Sequence, residues 1–178
     1  MLTQQQQLAL IGLIRALAFT ALLGLLFFVL TSCSKPAPQI TTGLNLPSQS
    51  VSLALPGAFL PDVGYSQVNS AWLRRYYDDF RDDLSRRDIP HGNARFDCNK
   101  FAAAYAVGAQ MRFYRDMFHS WNPAQALAVG EIWYQSARGP HAINCAFTER
   151  GLLFIEPQTG QEVALTLQEK ASIYYVRF

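Results

Sequence analysis

An excess of charge of either sign is missing from this 178-residue chain. Fifteen Lys and Arg stand against thirteen Asp and Glu, a net of +2. The charges are scattered through the second half, so no basic stripe exists to track phosphates and nucleic acid is not expected as a partner. Internal repeats are also missing, which excludes solenoid and propeller architectures. The one low-complexity stretch, Gln4 to Gln7, carries no function. No metal-ligand spacing is present either, so neither a metal nor another cofactor is expected. The chain also lacks an apolar run of comfortable membrane-spanning length. Ala16 to Leu30, preceded by Arg15, is uncharged but short, and has the length of a signal-peptide core.

That run ends in Leu30-Thr31-Ser32-Cys33. These residues resemble the bacterial lipobox, in which small residues precede a cysteine that is lipidated and becomes the mature N-terminus. The resemblance implies a signal peptide over residues 1–32, a lipid on Cys33 and, through it, the bilayer as a partner. Ser34, in place of an aspartate, implies sorting to the outer membrane, facing the periplasm. A signal anchor is the alternative, with Leu8 to Ile14 extending the apolar stretch across Arg15. Either way the domain is exported and tethered in a bacterial cell envelope. Pro36, Pro38, Pro47, Pro56 and Pro61 among Ser, Thr, Gln and Gly read as a semi-extended tether over residues 33–62, with one short strand at Val51 to Leu55. One domain of ordinary size remains over residues 63–178.

Within it, Trp72, Tyr76, Phe80 and Leu84 recur every four positions, with Arg74, Asp78, Asp82 and Arg86 on other faces. This spacing predicts an amphipathic helix from Ser66 to about Asp88. The acids Asp78, Asp79, Asp82 and Asp83 read as its solvated face. Asp97 is a candidate N-cap for a second helix reaching about Phe118, apolar on most sides and so expected to be buried between other elements. Strands follow at Leu127 to Tyr134, His141 to Thr148, Leu152 to Glu156, Val163 to Leu167 and Ile173 to Phe178. Helices first and an antiparallel sheet after give an α+β fold.

Three blocks carry the chemistry: Phe96-Asp97-Cys98-Asn99-Lys100-Phe101-Ala102, Gly139-Pro140-His141-Ala142-Ile143-Asn144, and Phe154-Ile155-Glu156-Pro157-Gln158. Cys98 in the first turn of a helix meets unpaired backbone N–H groups and the positive end of the dipole, which favour a thiolate. A two-residue turn at Glu149-Arg150 would set paired residues to sum to 299, so that His141 faces Gln158. Glu156 then lies one diagonal step from His141 on the same face, roughly 7–8 Å between backbones. Asn144 fails this parity and reads as structural. Cys98 and Cys145 also form an even pair in an oxidising compartment. The same register sets Cys145 about 13 Å along the strand from His141, which disfavours a Cys98–Cys145 bond if Cys98 sits at His141.

Together the blocks resemble the papain-like and transglutaminase-like superfamily, and most of all the papain-like C-terminal domain of a fungal lectin, the Marasmius oreades agglutinin. The resemblance implies N-terminal helices packed on an antiparallel sheet. It implies Cys98 as nucleophile, His141 as base and then acid, and Glu156 as the acid orienting the imidazole. The glutamine that this family sets before its cysteine as an oxyanion donor is missing, and Asn93 is the candidate substitute, with the Cys98 N–H as second donor. Calcium enters only through the same resemblance, since a helical run of acids lacks the ring of oxygen ligands it needs. His91, close before Cys98, reads as a loop residue with a place near the site as the alternative, and His119 as a helix end; Trp121, Trp133 and Tyr134 read as core packing, with the lining of a substrate cleft as the alternative.

The expected activity is that of an exported thiol hydrolase, most simply a cysteine peptidase acting on a peptide or cell-envelope substrate. One alternative keeps the chemistry and cleaves peptidoglycan peptides. Asn99-Lys100 and Glu156 fit such endopeptidases less well, because these usually follow their cysteine with Ser-Gly. The other is a non-catalytic binding or assembly lipoprotein on a transglutaminase-like scaffold.

Overall fold

The computed structural model describes residues 37–89, 96–118 and 124–178, with Gln5, Gly12 and residues 18–21 besides. The chain divides into two units, Met1–Ala37 and Pro38–Phe178. In the first, seven residues are described, and all but Ala37 are helical. Among the described residues no helix is long and apolar enough to cross a membrane. Cys33 and the lipobox lie outside them.

The second unit is a mixed α+β domain. Its elements are β1 (Thr41–Pro47), α1 (Ser48–Ala54), β2 (Gly64–Val68), α2 (Ser70–Arg86), α3 (Cys98–Met117), β3 (Ala126–Leu127), β4 (Val129–Ser136), β5 (Gly139–Thr148), β6 (Gly151–Ile155), α4 (Leu167–Ala171) and β7 (Tyr175–Arg177). Seven strands form one sheet in the order β1-β2-β5-β4-β7, with β3 on β2 and β6 on β5. The sheet is not wholly antiparallel as expected. β2 runs parallel to β3 and, at Val68 and Thr148, to β5.

Four points correct the sequence reading. The compact unit begins at Pro38, not at residue 63, because Ile40, Val51 and Leu55 bury their side chains in it. Residues 51–55, expected as a strand, belong largely to α1, which buries Val51 completely. The first expected helix starts later, at Ser70. Tyr65 and Val68 are wholly buried from strand β2, and the Asn69 side chain accepts hydrogen bonds from the N–H groups of Ala71 and Trp72, capping α2. The strand expected over Val163 to Leu167 does not form: residues 163–166 are irregular, and Leu167 opens α4, capped by Thr166 in a capping box with Glu169.

Alternation along β5 sorts the two faces of the sheet. Ala146, with Val129 and Ile155, packs under α2 and α3, beside Trp72, Tyr76, Phe80, Phe101, Tyr105 and Phe113. Ile143 and Cys145 face the other way, toward Leu55, Ile132, Phe154 and Leu165. α3 is not enclosed on most sides as expected. Phe101, Ala102, Tyr105, Ala109 and Phe113 are buried, but Val107, Met111 and Tyr114 are exposed.

Candidate active site

The site is built from the start of α3, the start of β5 and the end of β6. The hairpin between β5 and β6 turns on Glu149 and Arg150, so Thr148 pairs with Gly151 and Asn144 with Ile155. The ladder stops there. Beyond Ile155 the chain turns back, with Thr159 and Gly160 donating their N–H groups to the Glu156 carbonyl at 3.2 and 2.7 Å. The Tyr77 hydroxyl of α2 donates to the Gln158 carbonyl at 3.1 Å, and Gly160, at φ +71°, lies against the Tyr77 ring where no Cβ fits.

This turn presents the Glu156 carboxylate to His141. Oε2 lies 2.7 Å from the imidazole Nε2, while Oε1 accepts the Gln158 N–H at 3.1 Å. The two side chains are 28% and 18% exposed, so the pair is mostly shielded from water. Tyr134, directly across the ladder from His141, sets its ring edge to face against the imidazole at 5.9 Å. With Nε2 on the carboxylate, Nδ1 is the nitrogen left for other chemistry.

Cys98 is the first residue of α3 and is half-buried. Asp97 occupies the N-cap position, yet its carboxylate caps no backbone N–H and instead pairs with Lys100 at 3.0 Å. The Lys100 hydrogen bond holds Asp97 below the usual carboxylate range. The first turn of α3 thus carries the thiol beside N–H groups that no side chain caps.

Two side-chain amides, Asn144 buried and Gln110 half-buried, show how α3 lies on the sheet. Asn144 Nδ2 donates to the Ala102 carbonyl at 2.8 Å, and Gln110 Nε2 donates to the Leu127 carbonyl at 2.8 Å. From Ala102 to Gln110 the helix rises about 12 Å. Val129 pairs with Ala146, so Leu127 lies beyond the Ala146 end of β5 and the helix runs in the direction of that strand. Cys98, four residues before Ala102, is then about 6 Å back, two strand residues, at the level of Ala142 on the α3 face, whereas the neighbouring His141 leaves the strand on the other face with Tyr134. Among the described residues no hydrogen bond joins the Cys98 sulfur to His141; the structure brings His141 and Glu156 together and sets Cys98 at their end of the strand.

Asn144 is a structural residue, wholly buried between α3 and β4. Cys145 faces away from α3, and both it and Cys98 are free thiols. Burial pushes the Cys145 thiol far above its ordinary range, so it is inert. The acids of α2 pair with arginines, Asp83 with Arg87 at 2.8 Å and Asp79 with Arg112 at 3.4 Å. Among the described residues no group of three His, Cys, Asp or Glu could hold a metal ion. Trp133 packs on Tyr175 at 4.9 Å between ring centres. Asn93, His91, His119 and Trp121 lie outside the described residues. The sequence reading missed Glu131, buried in β4 directly opposite Asn144. A lone acid within the apolar run from Val129 to Tyr134 was the available signal.

No family model matches this chain, and no curated protein does. Among solved structures it is similar to two of a Polyporus squamosus lectin. One has the human-type influenza-binding epitope Neu5Aca2-6Galb1-4GlcNAc bound, with a TM-score of 0.58 and 19% identity. The other is a PSL1a-E64 complex, with a TM-score of 0.52 and 20% identity. The likeness covers 76% of this chain and 50% and 51% of those chains, so the chain spans about half their length. At this identity it is a likeness of fold.

Proposed function

We propose that the chain is an exported, lipid-tethered thiol hydrolase of papain-like or transglutaminase-like fold, most simply a cysteine peptidase, with Cys98, His141 and Glu156 as its triad. The observation that carries this reading is the 2.7 Å contact of His141 Nε2 with Glu156, which leaves Nδ1 free at the end of the sheet where α3 begins with Cys98. Glu156 holds the tautomer with a proton on Nε2. Nδ1 then accepts the Cys98 proton as the sulfur attacks a substrate carbonyl, and the imidazolium passes that proton to the leaving amine. Water, deprotonated by the same nitrogen, hydrolyses the thioester and frees the sulfur. The Cys98 N–H, with no side chain capping the helix start, serves the developing oxyanion. Catalytic hydrogen bonds are often long before substrate binds, and in this reading the His141–Cys98 contact closes when substrate binds, before the sulfur attacks.

One similar structure is a complex with E64, an epoxysuccinyl peptide that alkylates thiolates, and this chemistry belongs here to Cys98. The lectin's sialylated ligand is not carried over. Lipidation at Cys33 and an outer-membrane position complete the reading, with peptide stems of the cell wall as the second substrate class.

The test is intact-mass analysis of the full chain after E64 at mildly acidic pH. One adduct is expected, abolished by Cys98→Ser and slowed by His141→Ala. Wild type reacting no faster than a free thiol, or a quantitative Cys98–Cys145 disulfide, would falsify the reading. Released muropeptides from purified cell wall, set against cleavage of a denatured protein, separate the two substrate classes.

A further inference from the structure

Asn144 Nδ2 donates to two carbonyls, those of Ala102 in α3 and Gly130 in β4, at 2.8 and 3.1 Å. This fixes the amide, because a flipped one would set its oxygen against both carbonyls. Oδ1 is therefore an acceptor, and it is buried with no donor. Directly opposite on the ladder is Glu131, 6% exposed, whose Oε2 is likewise buried and makes no well-formed hydrogen bond, although the Trp133 indole N–H of the same strand, itself unpartnered, is a donor beside it. Directly opposed side chains leave the same face of the sheet with Cβ atoms about 4.5–5.5 Å apart. Two bare acceptors at that separation repel, and of the two only a carboxyl can supply a hydrogen.

We propose that Glu131 is held as the neutral acid and donates its proton from Oε2 to Asn144 Oδ1, completing a chain of hydrogen bonds that seats α3 on the sheet one turn from Cys98. The groups facing Glu131 are few. Arg177, its partner on β7, favours ionisation, as do the Tyr175 hydroxyl of β7 and the Trp133 indole of β4. From β5 comes Asn144, while the Cys145 thiol beside it points to the other face; at the start of α3, Lys100 and Asp97 pair with each other at the surface. Burial outweighs the stabilising groups and pushes Glu131 above the usual carboxylate range.

A raised value in the fold means protons are bound on folding, so the contribution is whole below the ordinary glutamate range and fades as pH rises through the Glu131 value. Once ionised, Glu131 turns a second bare acceptor on Asn144 and loosens the helix. The consequence for catalysis rests on Cys98 being the nucleophile; the proton between Glu131 and Asn144 does not.

The experiment is carbon NMR of the full chain labelled at the glutamate carboxyl, titrated from about pH 4 to pH 9. The Glu131 resonance, identified by its loss in Glu131→Gln or by connectivity to its own backbone in wild type, is expected to keep its protonated shift above the ordinary glutamate value of about 4.3. Glu131→Gln supplies an N–H in place of the acid, so its melting temperature should be flat over the range in which wild type declines. A Glu131 carbon that titrates at or below about 4.3, with Trp133 donating to an ionised Oε2, overturns the proposal. So does an unchanged pH slope in Glu131→Gln. A protonated Glu131 beside a Cys98 inert to E64 sinks the hydrolase reading and leaves this one standing.

Discussion

Replacing Glu156 separates an orienting carboxylate from a merely structural one, and the size of the effect follows from the His141 contact. The 2.7 Å pair is more than two-thirds buried on both sides. A hydrogen bond to a charged group contributes about 1.5–3 kcal/mol, and one between neutral groups about 0.5–1.5. Glu156→Gln keeps an acceptor for Nε2–H but loses the charge that stabilises the imidazolium formed when His141 takes the thiol proton. The difference is about 1–1.5 kcal/mol, or about a 5- to 15-fold slower alkylation of Cys98 by E64. Glu156→Ala removes the whole interaction, so about a 10- to 150-fold loss is expected. The assay is the second-order rate constant for adduct formation, read by mass, with melting curves as control. With its single oxygen on Nε2–H, glutamine turns its NH2 toward the Gln158 N–H, so Glu156→Gln should lose that hydrogen bond and melt lower by the equivalent of about 0.5–1.5 kcal/mol while remaining folded. Alkylation at the wild-type rate in both variants, with Cys98→Ser inert, would show that Glu156 does not act through His141.

Three further outcomes test the frame around the site. Val51→Ala should cost about 2 kcal/mol in chemical denaturation, since Val51 is fully buried by α1; a spacer position would change stability by less than about 0.5 kcal/mol. Gly160→Ala should lower the melting point by the equivalent of about 1–3 kcal/mol and slow Cys98 alkylation, because a φ of +71° and the Tyr77 ring both reject a Cβ behind Glu156; an unchanged melting curve would refute this. Glu149 accepts from the Ser70 N–H and hydroxyl, and these bonds hold it below the usual glutamate range. A depressed value stabilises the fold above the ordinary glutamate range and is lost as pH falls through it, so Glu149→Gln should cost about 0.5–1 kcal/mol near neutrality and nothing in acid. Equal destabilisation at both pH values would argue against the linkage.

What was legible in the sequence was local. The two-residue turn at Glu149-Arg150 sets the register of β5 and β6, and parity put Glu156 on the His141 side and Asn144 on the other; the expected His141–Gln158 pair does not form, because the ladder ends at Ile155 and the turn after it presents the carboxylate. The start of α3 was legible from Asp97, although that carboxylate prefers Lys100 to the helix N–H groups. What was hidden depended on distant partners. Ile40, Val51 and Leu55 sit among prolines and serines and read as spacer until the sheet and its second core are there to bury them. β2 vanished into the helix prediction because its parallel partners, β3 and the end of β5, come some sixty to eighty residues later. α4 need not have been missed, since Thr166 followed by Glu169 is the spacing of a capping box.

The end of the sheet explains why this chemistry would be found there and nowhere else along α3. Asn144 and Ala146 turn toward the helix, so His141, odd-numbered on the same strand, leaves the pleat on the other side. Inside the sheet that alternation would keep an imidazole on β5 from a thiol on α3. β6, however, leaves the ladder after Ile155, and residues 139–143 of β5 have no β6 partner. An imidazole at such an unpaired margin can reach around the strand edge, with Glu156 curling past the last pair to hold its far nitrogen. The helix must then begin at the same level, and the Asn144–Ala102 bond sets it there, four residues after Cys98. A proton between Glu131 and Asn144 would therefore act on the contact nearest the thiol among those that fix how far along the sheet α3 stands.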